Sequence, residues 1–286
     1  MNDLILMGPG VTPDVLCDLA DEFQIGEVRS RVNGVRLYNL SPMTARSIAR
    51  RYADDDTVDA VVVPAHLSIK DYRVLCLDMD GTIIHNECID DMAALAGVGD
   101  EVAAATRAAM EGHQTFAESL TNRVALLKDA PTTIISDALK GIRLQSGAPA
   151  LIDFCRSHGV KTYILSGGFT NFTKVVAEQL GMNGAFSNEL DIDGNHLTGH
   201  VTGPAGGRIL DADGKRRTLE ILCALEGVST KAAISAGDGA NDLEMLGAAG
   251  IGVAFHAKPV VRAQAKYQVT AVGLDGLMLL FKEAWD

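Results

Sequence analysis

The stretch "LCLDMDGTII", from Leu75 to Ile84, decides the fold of this chain. It begins as an apolar run typical of a buried strand, yet it carries two acids, Asp78 and Asp80, where that strand should end. Burying an unpaired carboxylate costs free energy, so two of them beside a core strand need a reason. One reason is a solvated turn, because Asp-Gly is a common turn pair. The other is a site at the strand end that uses both carboxylates.

Later apolar runs repeat this arrangement. They are "KTYILSGG", "KAAISAGDG" and "GIGVAF", with a short "YQVTA" after them, and helical stretches such as "APALIDFCRSHG" separate the runs. Continuous apolar strands alternating with helices predict a doubly wound parallel sheet with helices on both faces, which is an α/β fold. Ligands of such sheets bind outside the carboxyl ends of the strands. The polar residues that end these runs are therefore expected at one edge.

Three regions accompany this core. Residues 1–70 contain short strands and two amphipathic helices, which predict a small α+β N-terminal domain with a regulatory or oligomerisation role. The catalytic unit would then occupy 71–286. Within it, residues from about 88 to 145 contain no clear strand and predict a helical cap insert. The segment "FSNELDIDGNHLTGHVTGP" alternates in polarity around an Asp-Gly turn and predicts a hairpin.

Composition excludes some classes of protein. The chain has 286 residues, a net charge of -12 and a pI of about 5.0, which argues against binding nucleic acid or an anionic membrane. Its 5 cysteines form no C-x-x-C pair, as in a reduced, cytosolic protein. The start "MNDLILMGPG" lacks the basic region of a signal peptide, and no apolar stretch approaches the ~20 residues of a membrane helix. We expect a cytoplasmic protein.

A metal site is the first chemistry that the acids indicate. Asp78 and Asp80 can turn toward a single site at the strand end, where two carboxylates would repel each other unless one is protonated or a cation is bound. In "SAGDGANDLEML", Asp238 follows the third strand and can add a hard oxygen ligand, with Asp242 four residues on. Oxygen-only ligation with few carboxylates suits Mg²⁺. The alternative for these two acids is a helix N-cap with an acidic first turn.

An anion-binding site is the second kind of chemistry that the sequence indicates. In "LSGGF", Ser166 and the glycine after it can present N–H groups to an anion at a strand end, although a plain turn fits equally well. In "DADGKRRTLEIL", the three basic residues Lys215, Arg216 and Arg217 open a helix. They compete for one role, and spacing alone does not choose between them.

The order of these segments resembles a known group. "DMDGT", a serine after the second strand, a lysine opening a helix and "GDGAND" resemble the haloacid-dehalogenase-like phosphohydrolases over about 73–286. Within that superfamily, "DMDGTIIHNECID", "MEGHQTFAESLTNRVALL" and "GDGANDLEML" look closest to the phosphoserine phosphatases. The resemblance implies Mg²⁺-dependent hydrolysis of O-phospho-L-serine through an aspartyl-phosphate, the last step of serine biosynthesis.

Residue roles also follow from the resemblance. Asp78 would be the nucleophile and a metal ligand, and Asp80 the general acid and base, with its backbone carbonyl on the metal. Asp238 would complete the metal ligands, supported by Asp242. The residues implied to bind substrate are Glu87, Met110, Phe116, Arg123, Ser166, Gly167, Lys215 and Asn241. Among them Glu87 would bind the substrate ammonium and Arg123 its carboxylate; without the resemblance, Arg123 would be an ordinary charged neighbour of Glu118.

Rival interpretations stay open at this point. A related phosphatase could act on another small phosphorylated metabolite, and a phosphotransferase could pass the phosphoryl group to an alcohol through the same intermediate. A metal-dependent binding protein without activity is the rival from another class, and the complete set of Asp78, Asp80, Lys215 and Asp238 disfavours it. The sequence does not decide the oligomeric state, and a homodimer is one option for it.

Overall fold

The structure, a computed structural model, describes residues 1–23, 25–53, 55–111 and 114–286, without the side chains of 110 and 111. Its strands form a four-stranded and a seven-stranded sheet. In chain order the elements are β1 (Asn2–Met7), α1 (Pro13–Glu22), β2 (Val28–Arg31), β3 (Gly34–Leu40), α2 (Pro42–Arg51), β4 (Asp59–Pro64), β5 (Val74–Leu77), α3 (Cys88–Ala96), α4 (Gly99–Glu111), α5 (Phe116–Ala125), α6 (Thr133–Lys140), α7 (Ala148–Ser157), β6 (Lys161–Phe169), α8 (Thr170–Leu180), β7 (Gly184–Asp193), β8 (His196–Thr202), α9 (Ala212–Leu225), β9 (Ala233–Gly237), α10 (Leu243–Ala248), β10 (Ile251–Phe255), α11 (Pro259–Arg262) and β11 (Tyr267–Val269).

The large sheet has the order β11-β10-β9-β5-β6-β7-β8. All its neighbouring strands run parallel except β7 and β8, which pair antiparallel as the predicted hairpin. The α/β fold is confirmed, and "YQVTA" does supply a strand. Strand β5 lies between β9 and β6, so the carboxyl ends of these three strands are neighbours. This strand order brings the segments "LDMDG", "LSGGF" and "SAGDG" together at one edge of the sheet.

The strand that carries "LSGGF" differs from the prediction in one respect. Strand β6 continues to Phe169 instead of ending at Ser166, and its register with β7 jumps from Leu165 to Phe169. The irregular pairing lets the serine and both glycines stay in the strand while their backbone leaves the regular ladder. Backbone groups of this segment can therefore face the site.

Helices α3 to α6 form the predicted helical insert between β5 and β6. Its first helix buries Cys88, Ile89, Met92 and Ala93 against the rest of the fold. The insert is thus packed above the carboxyl end of β5 and can cover a site there.

The small sheet has the order β2-β3-β1-β4, with antiparallel neighbours. Strand β1 is apolar on both faces, and its residues alternate as a strand requires. Leu4 and Leu6 pack in a cluster with residues of α1 and α2, whereas Ile5 and Met7 join the main core of the large sheet. The predicted α+β unit is confirmed. Its boundary at residue 70 and its role stay predictions.

Two further features agree with the composition. In the described part of the chain, the cysteines are free thiols, and 4 of the 5 are buried. Among the same residues, we find no helix with the length and apolar character needed to cross a bilayer.

Candidate active site

A cavity of about 580 Å³ lies where β5, β6 and β9 end and the helical insert covers them. The sheet contributes Asp78, Asp80, Ser166 and Asp238 to its lining. The insert adds side chains on the opposite side, among them Glu87, Phe116 and Arg123. The expected meeting of strand-end residues at one edge is confirmed, because parallel neighbours place their carboxyl ends together.

Asp78 is almost completely buried at the base of this cavity, with 5% of its surface exposed. Its Oδ1 accepts a hydrogen bond from Met79 N at 2.8 Å and lies 2.8 Å from Lys215 Nζ. Burial raises the pKa of Asp78 well above its ordinary value, and the charge of Asp242 adds to this, while Lys215 opposes it. The carboxylate is therefore held in place and depends on a nearby cation to stay ionised.

Lys215 supplies one such cation. Its side chain is fully buried on α9, and its Nζ also lies 2.6 Å from Asp242 Oδ1. Burial lowers the pKa of Lys215, but the two carboxylates raise it by more, so the ammonium is retained. Arg216 and Arg217 instead form partly exposed ion pairs on the helix surface. Of these three basic residues, Lys215 is therefore the one that contacts Asp78.

Three acids form a cluster of oxygen donors. Asp78, Asp238 and Asp242 each place one carboxylate oxygen within 4.8 Å of the others. Burial, with the charge of Asp242 second, raises the pKa of Asp238 to about 6. Three ionised carboxylates this close together would carry more negative charge than one lysine balances, and oxygen donors suit a hard divalent cation. These residues fit a metal ion of that kind.

Asp242 is already engaged by the protein. Its Oδ1 contacts the Lys215 ammonium, and its Oδ2 accepts from Gly239 N at 3.0 Å. Asp238 is less committed, with Thr82 Oγ1 at 3.4 Å from its Oδ1. Asp238 is therefore the freer ligand of the two, and Asp242 is placed to orient the lysine.

Two glycines make this close packing of acids possible. Gly81 has a positive φ of 70°, and a Cβ there would lie 3.0 Å from the Asp238 carboxylate. A Cβ at Gly237 would lie 2.3 Å from Asp242 Cγ. Larger residues would displace the acids, so the local backbone of both motifs serves the site.

Asp80 is held apart from Asp78 by its own contacts. Its Oδ1 accepts from Cys88 N at 2.8 Å, and its Oδ2 lies 3.4 Å from Ser166 Oγ. Burial raises the pKa of Asp80, and the bonds from Cys88 oppose that rise. A carboxyl group in this environment can hold a proton and release it, which is what a general acid and base must do.

The insert contributes two opposite charges to the lining of the cavity. Glu87 lines it, and burial of the carboxyl group together with the nearby acids Asp80 and Asp238 raises its pKa to about 7. Arg123 is half-buried, and its Nε donates to Ser119 O at 3.3 Å. Burial lowers the pKa of this guanidinium. A cation and an acid in one cavity would complement the charged groups of an amino acid.

Glu118 does not pair with Arg123 among the described contacts. It forms a capping box with Thr115 at the start of α5, where its Oε2 accepts from Thr115 N at 2.8 Å. Phe116, on the same helix, lies over the irregular part of β6 from Ser166 to Gly168 (the Ser166 loop), since a Cβ on Gly167 would meet its ring Cζ at 2.5 Å. Asn241 lines the cavity, and the side chain of Met110 lies outside the described residues.

Sequence reasoning missed Lys258. It follows β10 in the turn before α11 and lines the cavity, and its backbone N donates to Asp238 O at 3.0 Å. The positive charge of Lys258 lowers the pKa of both Glu87 and Asp238, against the burial that raises them. The sequence contained a signal for it, because β10 was predicted to end at the same edge and Lys258 comes three residues after the end of this strand.

The chain was compared with known proteins. The model of the haloacid dehalogenase-like hydrolase family matches residues 72–250. The phosphoserine phosphatase of a Polaromonas species is 42% identical over 223 residues, which cover 77% of this chain and 94% of that protein. A probable phosphoserine phosphatase from Vibrio cholerae, solved unliganded, has a TM-score of 0.82 at 36% identity and covers 99% of this chain and 87% of its own. A phospho-aspartyl intermediate analogue of phosphoserine phosphatase has a TM-score of 0.68 at 34% identity, over 74% of this chain and 99% of its own.

Proposed function

We propose, because this chain belongs to the phosphoserine phosphatase family of the haloacid dehalogenase-like hydrolases, that it hydrolyses O-phospho-L-serine to L-serine and phosphate, the last step of serine biosynthesis. One observation carries the proposal. A buried carboxylate, Asp78, lies 2.8 Å from the Lys215 ammonium in a cavity that Glu87 and Arg123 also line. The carboxylate and the ammonium suit phosphoryl chemistry, and the two charges from the insert suit the amino acid.

The first half-reaction forms a phosphoaspartate. The Asp78 carboxylate attacks phosphorus, and the bond between phosphorus and the serine oxygen breaks, with its electron pair leaving on that oxygen. Asp80 gives its proton to the departing oxygen, so serine leaves as the neutral alcohol. Lys215 offsets the repulsion between the carboxylate and the phosphate dianion, which would otherwise slow the approach. The covalent intermediate divides one difficult displacement into two.

The second half-reaction hydrolyses that intermediate. Asp80, now ionised, takes a proton from a water molecule that attacks phosphorus from the side that serine has left. The bond between phosphorus and the Asp78 oxygen breaks, and its electron pair regenerates the carboxylate. Asp80 is protonated again and ready for the next substrate. One residue serves both steps because its protonation state alternates.

Mg²⁺ is the metal that we propose for the acidic cluster. Asp78, Asp238 and the backbone carbonyl of Asp80 would hold it, with Asp242 orienting the site. When bound, it would stabilise the negative charge that develops on the phosphoryl oxygens. Ser166, Gly167, Lys215 and Asn241 would bind the phosphoryl group.

Substrate choice would rest on the insert. The Arg123 guanidinium can bind a carboxylate through two parallel hydrogen bonds, and Glu87 can accept from the ammonium. Phe116 and Met110 would line the pocket and exclude water. A homodimer and a regulatory role for residues 1–70 are additional proposals, to be tested by sedimentation and by serine titration.

The test is a phosphate-release panel of phosphorylated amino acids and sugars, with Mg²⁺ and with a chelator. We expect phosphoserine to be the best substrate and the chelator to abolish release. Faster release from a sugar phosphate would favour the related phosphatase. Transfer to added alcohols in preference to water, seen by product analysis, would favour the phosphotransferase.

A further inference from the structure

We propose that Asn188 is a positioning residue that holds the two phosphate-binding segments of the cavity at a fixed separation. The proposal rests on the proposed function, because it concerns the same site. Asn188 lies in β7 and is completely buried. Its Nδ2 donates to Gly167 O at 2.9 Å, and its Oδ1 accepts from Leu210 N at 2.7 Å.

The first of these contacts fixes the Ser166 loop. Gly167 follows Ser166 in the part of β6 where the register with β7 jumps, and Asn188 is the β7 residue aligned with Phe169 at the end of the jump. The amide side chain therefore supplies a hydrogen bond to a backbone carbonyl in the irregular stretch. Without it, that buried carbonyl would lose a partner, which costs free energy and loosens the loop.

The second contact fixes the helix that carries Lys215. Leu210 directly precedes Asp211, the N-cap of α9, whose side chain accepts from Gly214 N at 2.9 Å. Lys215 N in turn donates to Asp211 O at 2.8 Å. A short chain of hydrogen bonds thus leads from Asn188 to the residue whose ammonium contacts Asp78. One amide consequently sets the position of the loop and of the lysine.

The chemistry of the amide explains why asparagine stands here. Gly167 O can only accept and Leu210 N can only donate, so the residue between them must present a donor and an acceptor side by side. Asparagine does so with one short planar group. Aspartate in its ionised form offers two acceptors, and leucine, of similar shape, offers neither.

The first experiment uses Asn188→Leu. We expect kcat/KM for phosphoserine to fall by about tenfold to a hundredfold, because displaced groups lose much of their catalytic effect. The affinity for inorganic phosphate, measured by calorimetry in the presence of Mg²⁺, should fall as well. The ratio of kcat/KM for phosphoserine to that for phosphoethanolamine should stay unchanged, because the substitution does not touch Glu87 and Arg123 on the insert.

Ser187→Ala is the matched control. Ser187 is the preceding residue, 3% exposed, and its hydroxyl bonds to Thr173 Oγ1 at 2.7 Å and Thr170 Oγ1 at 3.2 Å, both in α8, rather than to Gly167 or Leu210. It should lose stability with near-parental kcat/KM per folded molecule. If Asn188→Leu folds with parental kinetics, or if both variants lose activity alike, Asn188 serves only the packing of β7 and the proposal is wrong.

Asn188→Asp provides a second test, which can be made even if the leucine variant folds poorly. A protonated carboxyl group restores a donor toward Gly167 O, whereas the ionised form repels that carbonyl. The activity of this variant relative to the parent should therefore rise as the pH is lowered from about 8 to about 6, a range that brackets a raised carboxyl pKa. A ratio that does not change with pH contradicts the donor role. If the parent hydrolyses none of the phosphates, the proposed function fails, yet weaker phosphate binding by the variants would still support this proposal.

Discussion

The side chains of Lys215, Asp78 and Asp242 form an ion cluster that is almost completely buried. Its contacts of 2.6 and 2.8 Å give the lysine two carboxylate partners. Removing one member of such a cluster leaves its partner buried and uncompensated, which costs more than losing a surface ion pair. Substitutions here must therefore keep size and hydrogen bonding if they are to report on chemistry rather than on folding.

Asp78→Asn meets this condition and tests the nucleophile. The amide has nearly the same size, but it cannot form the phosphoaspartate, so phosphate release should fall by several orders of magnitude. Asp213→Asn, a substitution in the surface ion pairs of α9, is the control and should keep full activity. Circular dichroism checks the fold. A folded Asp78→Asn protein with near-normal turnover would refute the assignment.

Asp80→Asn tests the general acid and base. It should slow phosphoserine hydrolysis by about 10²–10⁴-fold, because both steps need a proton transfer. An aryl phosphate has a leaving group that needs no proton, so its phosphorylation step should lose much less. Rapid-mixing measurement of phenol release isolates that step. If phosphorylation slows equally with both substrates, Asp80 has a structural role only.

Arg123→Ala tests substrate recognition. Loss of a charge-assisted, bidentate contact should lower kcat/KM for phosphoserine by roughly tenfold to a hundredfold, and Arg123→Lys should recover only part of it. Phosphoethanolamine lacks the carboxylate and should be a poor substrate that is indifferent to both changes. Arg107→Ala, at an exposed position of the insert, is the control. Equal losses with both substrates would mean that Arg123 supports the fold of the insert.

Helix α5 is the element on which recognition depends, since Phe116 and Arg123 lie on it seven residues apart. Its start is fixed by the capping box between Thr115 and Glu118. A capping box satisfies backbone donors that the first helical turn otherwise leaves free. The position of both side chains over the cavity therefore depends on an exposed carboxylate outside it.

Glu118→Ala tests this dependence. Loss of the capping box should destabilise the first turn of α5 and raise KM for phosphoserine severalfold, with kcat nearly unchanged. Glu118→Gln keeps an acceptor for Thr115 N and should retain parental KM. Steady-state kinetics of the two variants decide the matter. Equal KM in both variants, whether raised or parental, would contradict the capping explanation.

The two sheets behave as parts of one packed body. Ile5 and Met7 of the small sheet share a buried cluster with Phe281 and Trp285 near the chain end. Asp59 of β4 accepts from Thr270 N and Ala271 N, the latter at 2.7 Å. We therefore expect both sheets to unfold in a single transition, because separating them would expose a shared apolar core.

Asp59→Ala tests this coupling. It leaves two backbone N–H groups without their acceptor, so unfolding free energy should fall by about 1–3 kcal/mol. In a chain of this size each kcal/mol lowers Tm by about 2–4 °C. Asp59→Asn keeps one acceptor and should lose less, and kcat/KM should be parental in both. Differential scanning calorimetry measures the shift; separate transitions for the two sheets or an unchanged Tm would contradict the shared core.

The sequence alone was enough to predict which residues gather at the edge of the large sheet. Asp78, Asp80, Ser166 and Asp238 were placed there correctly, because a parallel sheet brings the carboxyl ends of its strands together whatever the details of packing. The apolar character of β1 on both faces likewise follows from "LILM". Such features depend on local pattern and on a general rule of topology, so one sequence suffices to predict them.

The tertiary structure decided which side chains act across elements. Lys215, rather than Arg216 or Arg217, points inward because only its position on α9 faces Asp78 and Asp242, and spacing alone did not fix that face. Asn188 and Lys258 escaped notice because their partners, in other strands and turns, lie more than 15 residues away in the sequence. Local pattern predicts where a strand ends, whereas a contact between distant segments exists only once packing has set their separation and orientation.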